Sequence, residues 1–319
     1  MKNKVCLLVP YYGKWPVYFN LYLFSLKKNK NLNVIFFTDL KYDGTLPNNV
    51  QIINMSLNKL NILASKKIGF KINIKNPYKL CDFKPAYGHI FEDYIKDYDF
   101  WAFGDIDLIY GNIFKLLPKN WRDYDILTFR EDWITGSFTI LRNSYKITRL
   151  YKKSKYYKKY FQEEQNFIFD ECGGLFCELV NKSPDYILQI DKNDSFTYIV
   201  RREELLYKNI KVFSKKIIKE SIPKNDYIYY NNGKLIQKDN EEFIYYHYVT
   251  EKRKDIFHFP KWDSIPEQFY INRFGFFTVD DFFSFKKSII ITFRFINSIK
   301  KYLIKLPLKV KNKLIKIAK

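Results

Sequence analysis

The sequence predicts an α/β protein built around a parallel sheet. Three observations carry that expectation. Short apolar runs recur early in the chain, an amphipathic helical pattern separates the first two, and several runs end on polar or carboxylate residues. A helix lying between two buried strands is the crossover unit from which parallel sheets are built.

"KVCLLVP", residues 4–10, reads as the first buried strand, and "YYGKWP" after it as a loop. "VYFNLYLFSLKKN", 17–29, has helical spacing and ends in lysines, which suits the negative end of a helix dipole. "NVIFFTD", 33–39, is a second strand stopping at an aspartate, and "VQIINM", 50–55, a third. "KPAYGHIFEDYIKDY", 84–98, is expected to be one helix with Pro85 in its first turn. "FWAFGDIDLIYG" follows as a fourth strand running into a loop at its aspartates. "YDILTF", 124–129, and "SFTILRN", 137–143, are further strands. A basic helical stretch covers about 145–162, and "FDECGGLFCELVNK" begins another helix. Shorter strands and loops fill 185–250, ending in "EEFIYYHYV".

Composition narrows the class. The chain has 319 residues, is 47% hydrophobic, and has only 11 Gly and 11 Pro, so it is neither disordered nor fibrous. Cys6, Cys81, Cys172 and Cys177 form no CxxC, and three histidines are too few for a zinc knuckle; free thiols in a reducing compartment are expected. The apolar run after the basic N-terminus is too short for a signal peptide, and no window of about 18 apolar residues marks a membrane span.

The net charge of +21 is unevenly spread. Residues 282–319 hold eleven Lys and Arg and no acidic residue; residues 1–281 carry 44 basic and 34 acidic residues, a net +10. The expected organisation is one α/β domain over 1–281 and a basic tail over 282–319. In the tail Ile289, Phe293, Ile296, Ile299, Leu303 and Leu306 recur at three- and four-residue steps with Lys and Arg between them, giving amphipathic helices broken at Pro307. Such a helix lies in the headgroup region of an anionic membrane surface. Nucleic acid is the rival polyanion, but no helix-turn-helix, zinc finger or RNA-binding motif is present, and none is expected as a partner.

Asp105 and Asp107 stand inside an apolar and aromatic run. A buried carboxylate is costly unless paired, hydrogen-bonded or bound to a metal. Strand alternation would put both on one side with Ile106 in the core, and two hard oxygen ligands suit Mg²⁺ or Mn²⁺ with phosphate oxygens. Ligands of open parallel sheets bind beyond the carboxyl ends of the strands, where Pro10, Tyr11, Tyr12, Asp39, Asp105 and Asp107 all fall. No glycine-rich phosphate loop follows the first strand, which weighs against a P-loop enzyme.

"VPYYGKWPVYFNLYLFSLKKN", "FFTD", "KLCDFKPAYGHIF", "YDFWAFGDIDLIYGNI", "GSFTILRN", "FDE" and "YYHYV" together resemble nucleotide-sugar-dependent glycosyltransferases of the GT-A fold, chiefly bacterial enzymes of capsule and lipopolysaccharide assembly. The resemblance spans about residues 4–250. It implies a mixed, mainly parallel Rossmann-like sheet flanked by helices. It implies that Asp105 and Asp107 hold Mn²⁺ or Mg²⁺ against the diphosphate of a donor, expected to be a UDP-sugar, with His247 completing the metal shell. Pro10, Tyr11 and Tyr12 would cradle the nucleoside, Asp39 would contact base or ribose, and Lys84 would face the donor. "DWITGSFTILRN" would line the acceptor pocket. Asp170 or Glu171 would remove the proton of the acceptor hydroxyl in an inverting enzyme. The acceptor is expected to be a glycan or lipid-linked glycan, and the enzyme to sit in the cytoplasm on the inner face of the membrane. The other readings of the same residues are a non-catalytic polyanion-binding protein and another metal-dependent nucleotide enzyme, such as a nucleotidyltransferase.

Overall fold

A computed structural model describes residues 4–284 and 286–305. The chain divides into two compact units, one made of residues up to Leu108 with Ile113–Ile218, the other of Ile109–Asn112 with residues from Lys219 onward. The sequence-based boundary at residue 281 follows charge, whereas this division follows contacts and keeps the C-terminal helix with the chain from Lys219.

The first unit is α/β, as expected. Its strands are β1 (Val5–Pro10), β2 (Leu32–Thr38), β3 (Val50–Asn54), β4 (Phe100–Gly104), and, after the short β5 (Leu108–Tyr110), β6 (Ile126–Thr128), β7 (Phe138–Arg142) and β8 (Val212–Ser214). The sheet order is β3–β2–β1–β4–β7–β6–β8. The pairs β3–β2, β2–β1, β1–β4 and β6–β8 are parallel, and β4–β7 and β7–β6 are antiparallel. All six residues of β1 are buried, as a central strand covered on both faces must be.

Helix α1 (Phe19–Lys27) makes the crossover from β1 to β2 and buries Phe19, Leu21, Tyr22, Leu23 and Leu26. Helix α2 (Leu57–Ile68) starts at Ser56, whose side chain accepts from the Lys59 N–H, and stops at Gly69 with φ 96°. The main core packs Phe37 on Phe91 with ring centroids 4.0 Å apart and Phe83 on Phe161 at 4.2 Å. Each such ring contributes about 1.5–3 kcal/mol by leaving water. His89 belongs to this interior: its Nδ1 lies 2.8 Å from the Tyr151 hydroxyl, and burial, with Arg149 and Lys152 nearby, lowers its pKa to about 4.

The single helix expected over 84–98 is instead a chain of short turns, Pro77–Lys79, Leu80–Phe83, Lys84–Ala86, Tyr87–Ile90 and Glu92–Tyr94. Helical backbone begins seven residues earlier than expected, at Pro77, with the Asn76 side chain accepting from the Tyr78 N–H. Pro85 supplies no amide to continue a regular ladder. Gly88 is held by packing, since a Cβ there would lie 2.3 Å from Trp101 Cε2. The basic stretch at 145–162 is likewise split, into Tyr145–Thr148, Leu150–Lys153 and Tyr157–Gln162. The helix expected from Phe169 begins only at Phe176, because Gly173 and Gly174 turn the chain with φ 64° and 91°.

In the second unit, β9 (Ile218–Lys219) is followed by β10 (Ile228–Asn231), β11 (Lys234–Gln237), β12 (Glu242–Phe243), β13 (Tyr245–His247), β14 (Gln268–Asn272) and β15 (Gly275–Thr278). An antiparallel sheet runs β12–β11–β10–β14–β15, and a smaller one β5–β13–β9. The β10–β11 hairpin turns through Asn232 and Gly233, both with positive φ, the geometry that matches strand twist. Helix α3 (Lys286–Lys305) docks through Ile290 and Ile291, which pack against Tyr270, Phe277 and Phe282. Arg294 donates to the Phe274 and Phe276 carbonyls at 2.7 and 3.0 Å and covers the Phe277 ring. The expected break at Pro307 lies outside the described residues. No helix among the described residues is long and apolar enough to cross a membrane.

Candidate active site

Strands β2, β1 and β4 lie side by side and parallel, so their carboxyl ends share one edge. Pro10 is opposite Phe37, Leu8 is opposite Phe103, and the Tyr11 N–H donates to the Phe37 carbonyl at 3.0 Å. The chain leaves β1 for β2 on one side, while β4 pairs on the other. Such a reversal opens the crevice in which parallel sheets hold ligands. Pro10–Tyr12, Asp39 and Asp105 are thereby gathered at one rim.

Asp105 and Asp107 do not lie on a strand, in contrast to the alternation argument. β4 ends at Gly104, residues 105–107 form a bend, and β5 starts at Leu108. The Asp105 N–H donates to the Ser137 carbonyl at 2.9 Å, which fixes the bend against the start of β7. Asp107 is 5% exposed and Ile106 is buried, so the expected inward placement of Ile106 holds for a different backbone reason. His247, at the end of β13, is also buried, with Nδ1 3.7 Å from Glu220 Oε1. Asp105 and Asp107 belong to the first unit and stand two residues apart on this bend, whereas His247 belongs to the second unit. Two carboxylates form a hard donor pair, which fits Mn²⁺ or Mg²⁺.

Lys84 is buried and ties three segments together. Its ammonium donates to Asp105 Oδ1 at 2.8 Å and to the Gly136 carbonyl at 2.9 Å, and lies 3.1 Å from Asp170 Oδ2. Burial works against its charge, but Asp105 and Asp170 outweigh that and hold it well above the ordinary lysine range. Burial pushes the Asp170 carboxyl up; Lys84 pulls it back, while Glu171, Asp82 and Asp105 reinforce the rise.

Glu171 Oε1 accepts the Gly136 N–H at 2.8 Å. A Cβ on Gly136 would fall 2.4 Å from Asp170 Oδ2 and 2.9 Å from Glu171 Cγ, so this glycine makes room for both carboxylates. The loop carrying them is anchored by Asp82, which is fully buried. Asp82 accepts the N–H groups of Phe167 and Phe169, each at 2.9 Å, and the Lys79 ammonium at 2.7 Å. Between those amides Ile168 has φ 55°, a left-handed conformation that costs a β-branched residue on the order of 1–3 kcal/mol.

The tyrosines divide. Tyr11 stacks on Trp15 at 5.3 Å, donates to the Lys14 carbonyl, and its phenol is raised first by burial and then by Asp107. Tyr12 belongs to the core, and Asp39 at the rim is exposed. Sequence reasoning missed Tyr18, whose phenol is raised by burial and then by Asp107, Tyr11 and Asp105. It also missed Gly136 and the Lys79–Asp82 anchor, although "KLCDFK" spells the anchor out.

No curated protein matches this sequence. Among the solved structures that align are three of low similarity. A glycosyltransferase involved in glycosylation of the major capsid of PBCV-1 is 9% identical over 77% of this chain and 93% of that one, with TM-score 0.37. The apo glycosyltransferase GlyE of Streptococcus pneumoniae TIGR4 is 10% identical over 66% of this chain and 45% of that one, TM-score 0.33. Mouse xyloside xylosyltransferase 1 in its apo form is 9% identical over 69% of this chain and 88% of that one, TM-score 0.34. From residue 7 to residue 280 the sequence matches a family of unknown function, DUF6625, and the chain belongs to that family.

Proposed function

We propose that this protein is a metal-dependent glycosyltransferase that moves a sugar from a nucleotide-sugar, a UDP-sugar in our reading, to a hydroxyl of a glycan or lipid-linked acceptor in surface polysaccharide synthesis. The observation that carries the reading is the pair Asp105 and Asp107 at the carboxyl end of β4, beside the ends of β1 and β2, with Lys84 joining Asp105 to Asp170. Asp105 and Asp107 would hold Mn²⁺ or Mg²⁺, with His247 the third ligand that the resemblance implies, and a bound ion stabilises charge on a departing diphosphate. Pro10, Tyr11 and Asp39 would receive the nucleoside. Tyr12, a core side chain, would complete that cradle from beneath. Asp170 and Glu171 form the proton-accepting end of the site. A carboxyl raised by burial is a stronger base for an acceptor hydroxyl than one in water. Lys84 positions Asp105 and Asp170 and keeps their charges balanced.

The test is thermal stability against nucleoside diphosphates with and without Mn²⁺. A ligand that binds only the folded state adds about 2.7 kcal/mol at a hundredfold excess over its Kd. The expected result is a melting shift with one nucleoside diphosphate that needs Mn²⁺ and vanishes in Asp107→Ala while the fold is kept. A shift that ignores both Mn²⁺ and Asp107 would overturn the reading.

We also infer that α3 meets the inner membrane surface. One side of the helix is docked by Ile290, Ile291 and Arg294, while Ile289 (58% exposed), Phe293 (65%) and Ile296 (44%) face away from that packing. Residues 286–305 include six Lys and Arg and no acid, which favours an anionic lipid surface.

A further inference from the structure

The geometry points to a saccharide-binding subsite in the cavity of about 600 Å³ bounded by Tyr156, Tyr160, Asn166, Phe167, Ile168 and Ser195. It lies within the first unit and uses none of the carboxylates described above. Its size falls in the range of cavities that hold small ligands.

The lining has the two features a sugar needs. The first is an aromatic wall. The Tyr156 and Tyr160 rings are 6.0 Å apart, the Tyr160 and Phe167 rings 4.6 Å apart, and Tyr156 is 40% exposed. Sugar rings present C–H faces that pack on such surfaces, and their hydroxyls require directed polar partners. The second feature supplies those partners. Asn166 Oδ1 accepts the Ile168 N–H at 3.1 Å, but its buried Nδ2 meets no acceptor among the described residues. A buried donor without a partner costs free energy, which a ligand oxygen would recover once the amide turns into the cavity that Asn166 lines. Asn193 and Ser195 add further polar groups to the wall.

The loop itself is built at a cost. Ile168 is held at φ 55° between two amides clamped by Asp82, and Gly173, also on the wall, has φ 64°. Backbone strain fixed by its surroundings concentrates where ligands are held. Two residues after Ile168 the same loop presents Asp170, and then Glu171. A sugar in the cavity is therefore held by the segment that carries the proposed proton acceptors, as a more distant unit of an acceptor glycan would be. Assigning the sugar to the acceptor rests on the transferase reading; the sugar binding does not.

The experiment is saturation-transfer NMR on the full chain with methyl glycosides of glucose, galactose, N-acetylglucosamine and glucuronic acid, and with lactose. Wild type is compared with Tyr156→Ala and Asn166→Ala, each checked for an unchanged circular dichroism spectrum. Tyr156 is an exposed side chain, so its removal leaves the core intact. The expected result is transfer to at least one sugar in wild type, weakened about two- to tenfold in Tyr156→Ala, the range of a lost ring contact, and weakened also in Asn166→Ala. Equal signals in all three proteins, or none from any sugar, overturn the subsite. The nucleotide melting shift is recorded on the same samples. Sugar binding that depends on Tyr156 without any nucleotide shift keeps the subsite and removes the donor reading; the converse keeps the donor reading and removes the subsite.

Discussion

Lys84→Met tests the electrostatic frame of the site. The ammonium lies 2.8 Å from Asp105 Oδ1 and 3.1 Å from Asp170 Oδ2, and the Asp170 side chain is only 5% exposed. Removing one partner of a buried ion pair costs about 3–5 kcal/mol where the remaining group is ionised and left without compensation. The Asp105 side chain is 30% exposed, so its share is reduced by solvent and Asp170 dominates. The cost depends on pH with a definite sign. Asp170 has a folded pKa above its unfolded value, so its contribution is fully present below the unfolded pKa and is lost as pH rises through the folded one. Lys84 lowers that folded pKa, so its loss raises it further. Variant and wild type therefore diverge with rising pH wherever Asp170 is ionised in wild type and protonated in the variant, by up to about 1.4 kcal/mol per pH unit. Burial holds the folded Asp170 carboxyl at about 8 in wild type, so urea unfolding at pH 6 and pH 9.5 in the presence of a chelator measures the gap. A destabilisation below about 1 kcal/mol at pH 9.5, or one equal at both pH values, would refute the argument.

Three further outcomes are expected. Gly88→Ala forces a Cβ to within 2.3 Å of the buried Trp101 ring and should cost about 1–3 kcal/mol in urea unfolding, without altering nucleotide binding. Arg294→Ala removes two hydrogen bonds to the Phe274 and Phe276 carbonyls, so amide exchange in 286–305 should speed up by about tenfold or more, while β1 and β4 keep their protection. Phe293→Glu, at a 65% exposed position, should leave the melting point unchanged and reduce partition onto anionic vesicles by about tenfold or more, with no effect on binding of short oligonucleotides.

The early strands were legible because each is a closed apolar run whose ends carry a change of chemistry. Val5–Pro10, Leu32–Thr38 and Phe100–Gly104 fall within a residue or two of their expected limits. Asp105 and Asp107 were legible as a site for the same reason, since carboxylates inside an apolar run need a compensating partner. The segments that escaped are those in which local pattern and tertiary packing disagree. Residues 84–98 have helical spacing, but Pro85 and the pressure of Trp101 on Gly88 break them into turns. "FDECGG" has the composition of a helix start, but two left-handed glycines delay the helix to Phe176.

The sequence by itself determined the class of the fold, the order of its first strands and the chemical type of the site, because burial patterns and carboxylates in apolar surroundings are local facts. It also determined the basic amphipathic helix, whose periodicity needs no partner to be read. Only the tertiary structure decided which charges meet. Lys84, Asp105 and Asp170 are separated by 21 and 65 residues, yet the ammonium lies between the two carboxylates. The crowding at Gly136 exists only once Asp170 and Glu171 are packed against it. Periodicity reports which face of a segment is apolar, and distances between charges exist only after those faces have been buried together.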